Sequence, residues 1–257
     1  MTDAPQLPLS TRAAILLRLF AVQGSWNYET MLGNGIAFAL EPALRRLPGG
    51  AGGEAYRAAM AREARYFNAH PYLAALAVGA LARVELEQVP PAQIERFRGA
   101  LCGPLGSVGD QLFWAGWLPC CSAIALIGYG LGAGPGVTAA LFLAPYTVGH
   151  IAMRVWGLES GWRAGLRVAG SLAQPLLREA PRRIAAATLV LLAFALPLVA
   201  ARIMRAGTAM PVPTALAAIS AAALVMGVAL VMLKGRVEGW KAAIAALALL
   251  VIYSVVR

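Results

Sequence analysis

Residues 184–204 read IAAATLVLLAFALPLVAARIM. The run holds one charged side chain, Arg202, and matches the ~20 residues that a helix needs to cross a bilayer core. Comparable apolar runs lie at Leu112–Leu131, Val137–Trp156 and Val212–Leu233, with a shorter one at Ala242–Val256. The last would need local thinning of the bilayer or a shallow seat. Composition agrees, because 60% of the residues are hydrophobic and only 13% are charged. Soluble domains run near ~25% charged, since something must face water. The chain therefore reads as an all-α integral membrane protein. Amphipathic or re-entrant helices come first, and a transmembrane helical bundle follows at the C-terminal side.

The net charge of +10 comes from 22 Lys and Arg against 12 Asp and Glu. The basic residues sit between apolar runs without interleaved aromatics, which points to loops beside anionic lipid and away from nucleic acid. The segment Gly157–Arg183 carries Arg163, Arg167, Arg178, Arg182 and Arg183, and Lys234, Arg236 and Lys241 surround Glu238. Both read as cytoplasmic connectors, which puts Arg205–Pro213 and the C-terminus outside. Cys102, Cys120 and Cys121 form no CxxC pair and read as small packing residues. No metal site, cofactor or secretory signal is expected.

Residues 1–100 differ in texture. Ser10 and Thr11 can cap a helix through Phe20 that Arg12 and Arg18 interrupt, so it lies at an interface or against protein. A second helix runs from Asn34 to Leu47, followed by the Gly-rich connector 48–53. Residues 54–67 read as a charged, water-facing helix, and Pro71–Val84 is apolar but too short to span alone. The middle region, 101–183, reads as a broken helix with a membrane core and a cytoplasmic connector, and 184–257 as the final membrane helices.

Three stretches place polar residues among small ones. They are Gln23–Met31 (QGSWNYETM), Tyr66–Pro71 (YFNAHP) with Glu85 and Glu87 downstream, and Gly103–Trp114 (GPLGSVGDQLFW). In the third, Pro104 removes a backbone donor, and Gly103, Gly106 and Gly109 relax the backbone. Interrupted segments of this kind expose backbone groups to polar substrates in transporters. Asp110 then reads either as a helix cap or as a cap that also faces substrate.

These stretches resemble the IID components of the mannose/fructose/sorbose class of sugar phosphotransferase systems. Gln23–Met31 with Pro42 and Arg45-Arg46 is similar to that family's N-terminal signature. Phe67-Asn68 with Pro71 resembles its "FFNT-P" segment, and Gly103–Trp114 with Pro119 its "GPL-G-GD-FW" motif. Gly134-Pro135 and Arg154 to Gly157 continue the likeness, in order, over roughly residues 12–165. The resemblance implies an inner or plasma membrane subunit with several spans that forms the path of a hexose-type sugar with a IIC subunit. Soluble IIA and IIB phosphocarriers would complete the hetero-oligomer. It implies no phosphohistidine on this chain, so the complex, not the subunit, would be the phosphotransferase. Thr30, Leu32, Ala69, His70, Leu86 and Gln111 depart from the family pattern. They leave an alternative open: an assembly or regulatory subunit that no longer transports sugar.

The substrate-binding candidates are Asn27, Glu29, Asn68, Glu85 and Asp110. Sugar hydroxyls pair with amides and carboxylates, and ionisable groups near the membrane core are costly to keep. Each has a plainer reading. Asn27 and Glu29 suit a hydrated helix face, Asn68 a turn, and Glu85 an ion pair with Arg83 or a helix end reaching water. His150 reads as a hydrogen-bonded packing residue. The six tryptophans read mostly as interfacial anchors.

Overall fold

The computed structural model describes residues 7–172 and 174–205. The apolar runs 212–233 and 242–256, and the charged segment around Glu238, lie outside the described residues. Within them the chain is helical, with no strand and only two isolated bridges, Asn27 to Met31 and Met31 to Phe67.

Helix α1 (Leu9–Leu19) buries Ile15 and Leu19 against α2 (Gly33–Leu44). Pro8, not Ser10 or Thr11, precedes its first turn, and no side-chain cap is formed. The two arginines that break its apolar pattern are matched elsewhere in the protein: Arg12 pairs with Glu159 at 3.1 Å and Arg18 with Glu41 at 2.6 Å. Gly49, at a φ of 80°, turns the chain into a short 3-10 turn and then α3 (Glu54–Glu63). The end of α3 differs from the water-facing helix expected, because Arg62 and Glu63 are buried. Their charges pair with helices that come later in the chain.

Helix α4 (Ala74–Leu86) is buried along nearly its whole length. An apolar segment too short to cross a bilayer has here become the core of a protein body. Helix α5 (Pro91–Gly109) opens on a proline, where the missing N–H costs nothing. It runs without interruption into a π-helical segment, Asp110–Trp117, and then into α6 (Leu118–Gly130). The Gly/Pro irregularity thus stays helical and changes helix type. Pro119 has no N–H to return to the carbonyl of Ala115, so a regular ladder of α-helical hydrogen bonds cannot continue through that turn.

Helix α7 (Pro135–Ala164) continues well past the apolar run seen in sequence. Its last turns lie on α4, with Gly157 and Gly161 where the backbones touch. A Cβ on Gly161 would fall 2.1 Å from the Leu76 carbonyl, and one on Gly79 would fall 2.2 Å from that of Leu158. After a 3-10 turn and the short α8 (Ala169–Leu172), α9 (Pro175–Arg205) returns alongside α6.

Among the described residues, three helical stretches are long and apolar enough to cross a membrane: Pro91–Gly130, Pro135–Arg167 and Leu177–Arg205. At ~1.5 Å per residue the 40-residue stretch is ~60 Å long, about twice a hydrocarbon core of ~30 Å. Its first half packs on α4, and its second half packs on α7 and α9. The same division runs through α7.

Candidate functional site

The three polar stretches converge at the joint between body and membrane helices. The loop after α1 is paired to the loop before α4 through backbone hydrogen bonds. Phe67 donates its N–H to Thr30 O at 3.1 Å, and Leu32 donates to Phe67 O at 2.9 Å. Loop 66–73 then meets α5, where His70 donates its N–H to Leu105 O at 3.4 Å. Gly109 lies directly beneath His70, because a Cβ there would stand 2.1 Å from the His70 Cβ.

The five candidates divide into two groups. Asn27 holds its own loop together: Oδ1 accepts from the N–H groups of Glu29 (2.9 Å) and Thr30 (2.8 Å), while Nδ2 donates to Thr30 Oγ1 (2.8 Å) and Ser25 O (3.2 Å). Glu85 is buried and held by Arg62, whose Nε and Nη2 donate to its carboxylate at 2.6–2.9 Å. Its partner is therefore Arg62; Arg83, the partner considered from sequence, pairs with Glu87 at 2.7 Å. Glu29, Asn68 and Asp110 are exposed, and their own side chains make no hydrogen bond among the described residues. Asp110 sits mid-way along a continuous helix and caps nothing.

Beside Glu85 lies a second buried pair, Arg98 to Glu63 at 2.9 Å, so two guanidinium groups and two carboxylates join α3, α4 and α5. Arg98 also donates to the carbonyls of Glu63 and Arg65, which fixes the end of α3. Glu63 Oε1 has no hydrogen-bond partner. Burial, with Glu85 nearby, outweighs the attraction of Arg98 and Arg62 and pushes the Glu63 carboxyl up to about 8. Glu41, flanked by Arg45 and Arg18, goes the other way. Burial opposes its charge, but the two arginines hold its carboxyl below the usual range.

A set of aromatic and basic side chains occupies the joint itself. The His70 ring stacks on Phe113 at 5.2 Å and lies 4.9 Å from Tyr72 and 5.0 Å from Trp114. Tyr72 stacks on His150 at 5.1 Å, and its hydroxyl meets that of Tyr146 at 2.8 Å. Arg154 lies over the Tyr72 ring at 4.3 Å and the Phe20 ring at 4.9 Å, and meets His150 Nδ1 at 2.9 Å. His70 Nδ1 accepts the Tyr72 N–H at 3.2 Å, which leaves the proton of the neutral ring on Nε2, where no partner meets it. Burial, and then Arg154, lower the His70 pKa to about 4.

Most of this set is unmarked in the sequence, where His150 reads as packing and the tryptophans as anchors. The signal present in the chain is the Gly- and Pro-rich stretch 103–119, which folds into a π segment, and such bulges often mark functional positions. The sequence gives no sign that Tyr72, Phe113 and Arg154 meet. Among the described residues no group of His, Cys, Asp or Glu is placed to hold a metal ion.

The model of the IID component of the mannose/fructose/sorbose family of phosphotransferase systems matches residues 6–256. The mannose-specific EIID component of Escherichia coli K12 is 29% identical over 184 residues, which is 69% of this chain and 64% of that protein. The fructose permease IID component of Bacillus subtilis is 27% identical over 62% of this chain and 58% of its own length. These alignments span less than two thirds of either relative. A cryo-EM structure of the mannose transporter ManYZ with microcin E492 shares the fold, with a TM-score of 0.58 and 21% identity over 96% of both chains.

Proposed function

The chain belongs to the IID components of the mannose/fructose/sorbose phosphotransferase family, and from that membership we propose that it lines a sugar path in the membrane together with a IIC subunit. Soluble IIA and IIB phosphocarriers would deliver the phosphoryl group, so the complex would phosphorylate a hexose-type sugar while this subunit carries no phosphoryl site. The multi-pass setting would be the inner or plasma membrane. The family match over residues 6–256 carries the reading. The geometry supports it: two polar loops are drawn onto a π-helical segment at a membrane helix, leaving Glu29, Asn68 and Asp110 exposed. Exposed carboxylates and amides are the groups that pair with sugar hydroxyls. Asn27 and Glu85, engaged within the protein, would support the site from behind.

The test is phosphoenolpyruvate-dependent phosphorylation of mannose, fructose and sorbose by membranes holding this chain, a IIC subunit and the soluble carriers. Activity that depends on this chain is expected. The same rate in membranes without it would sink the proposal.

A second reading, an assembly or regulatory subunit without transport, draws on the departures from the family pattern. Thr30 is tied to Asn27 at 2.8 Å, and His70 fills the joint with an aromatic wall. That reading expects a stable complex with IIC that phosphorylates none of the three sugars.

A further inference from the structure

Arg62, Arg98 and Arg154 are the buried arginines among the described residues, and two of them each meet a carboxyl group. Arg62 and Arg98 are paired to Glu85 and Glu63. Arg202 donates to the carbonyls of Tyr129 and Ala133 at the end of α6, where the helix dipole is negative. Arg154 is the exception. It is 4% exposed and stands on a membrane-spanning helix, yet no ion pair engages it among the described residues.

Its contacts are all with neutral groups. Nε donates to Leu19 O at 3.4 Å, and Nη1 meets His150 Nδ1 at 2.9 Å and His150 O at 3.3 Å. The faces of Tyr72 and Phe20 supply cation–π attraction. These soften the cost of a buried charge but do not neutralise it. Beside it, the Nε2–H of His70 is a second buried donor with no acceptor. The joint thus has a surplus of donors and a net positive charge. Position also matters: Arg154 lies 19 residues beyond Pro135, ~28 Å along α7, a distance close to the ~30 Å thickness of a hydrocarbon core. The surrounding surface is apolar and open, with Phe20 and Trp114 about half exposed and Val148 and Ile151 outward on α7.

We propose that Arg154 is a docking cation: when the membrane partner subunit covers the apolar face around Phe20, Trp114, Val148 and Ile151, the half-exposed Phe20 ring that lies over the guanidinium gives way to a carboxylate of that subunit. A planar guanidinium takes a carboxylate through two parallel hydrogen bonds. A neutral sugar hydroxyl would satisfy donors but leave the charge. The inference rests on the reading above that a IIC subunit is the partner.

The experiment compares the full wild-type chain with Arg154→Met and Arg154→Lys, each made alone and with the IIC subunit. Replacing a buried charge that has no internal counter-ion by an apolar side chain removes its desolvation cost, which offsets the lost hydrogen bonds to Leu19 and His150. Arg154→Met alone should therefore melt at or above the wild-type temperature in detergent. With IIC, its co-purification should fall at least tenfold, with Arg154→Lys in between. Three results would overturn the inference: a lower melting temperature or loss of the folded chain in Arg154→Met; undiminished co-purification; or undiminished assembly with a raised KM for sugar, which would make Arg154 a sugar contact. Failure of the wild-type chain to bind IIC would instead remove the proposed function on which the inference stands.

Discussion

Burial raises the pKa of Glu63 and lowers that of His70, and their effects on stability run in opposite directions. The folded Glu63 carboxyl titrates at about 8, above its ordinary 4.5, so the folded state binds the proton more tightly. Its contribution is present below pH 4.5 and is lost as pH rises toward 8. His70 is lowered from 6.5 to about 4, so its contribution is present above pH 6.5 and is lost as pH falls toward 4. Melting temperature against pH should therefore fall between about 6.5 and 8 in the wild type. In Glu63→Gln that fall should vanish and only the rise between pH 4 and 6.5 remain; an unchanged profile would show that Glu63 does not titrate there. The pair beside it is tested differently. Arg62→Met leaves the Glu85 carboxylate buried without its partner, which costs roughly 3–5 kcal/mol. Thermal or urea melts of the detergent-solubilised chain should show that loss, while exposed Arg46→Met should change little.

At the scale of elements, the decisive contact is the crossing of α4 and α7. Gly157 and Gly161 form a GxxxG spacing, and Gly79 faces it from the other helix. Small residues let helix backbones approach closely, and nothing larger fits where a Cβ would lie 2.1 Å from a carbonyl oxygen. Gly161→Leu should force the helices apart and destabilise the chain by at least ~1–3 kcal/mol. Limited proteolysis and melting would register it. The GxxxG spacing was present in the sequence, but in a stretch read as a cytoplasmic connector, because charge marks loops only when the charged helix does not continue into a protein body. The segment 103–117 teaches a related lesson. Its glycines and prolines announced irregular backbone, yet whether such a stretch unwinds or widens into a π-helix depends on what packs beside it. Here His70, over Gly109 and against Phe113, sets the packing.

For the whole molecule, the proposed sugar path gives the sharpest functional test. In membranes with active wild-type complex, Asn68→Ala and Asp110→Ala should each raise the sugar KM or slow uptake about tenfold or more, without lowering the melting temperature, since neither side chain holds the fold together. Ala substitution at Asn27 should do both, because its amide makes four loop hydrogen bonds. Uptake by Asp110→Ala equal to wild type would remove Asp110 from the path.

Residues 184–204 carried their meaning alone. A long apolar run has one low-energy setting, and the helical membrane class and the family followed from local composition and ordered motifs. The amphipathic first hundred residues were legible only as texture. A charged residue has two inexpensive homes, water or a partner, and local sequence does not distinguish them. Only the tertiary structure decided that Glu85 meets Arg62, that the end of α3 is buried, and that Arg154 stands among neutral groups. Those outcomes depend on residues 23 to 135 positions apart being brought within a few ångströms.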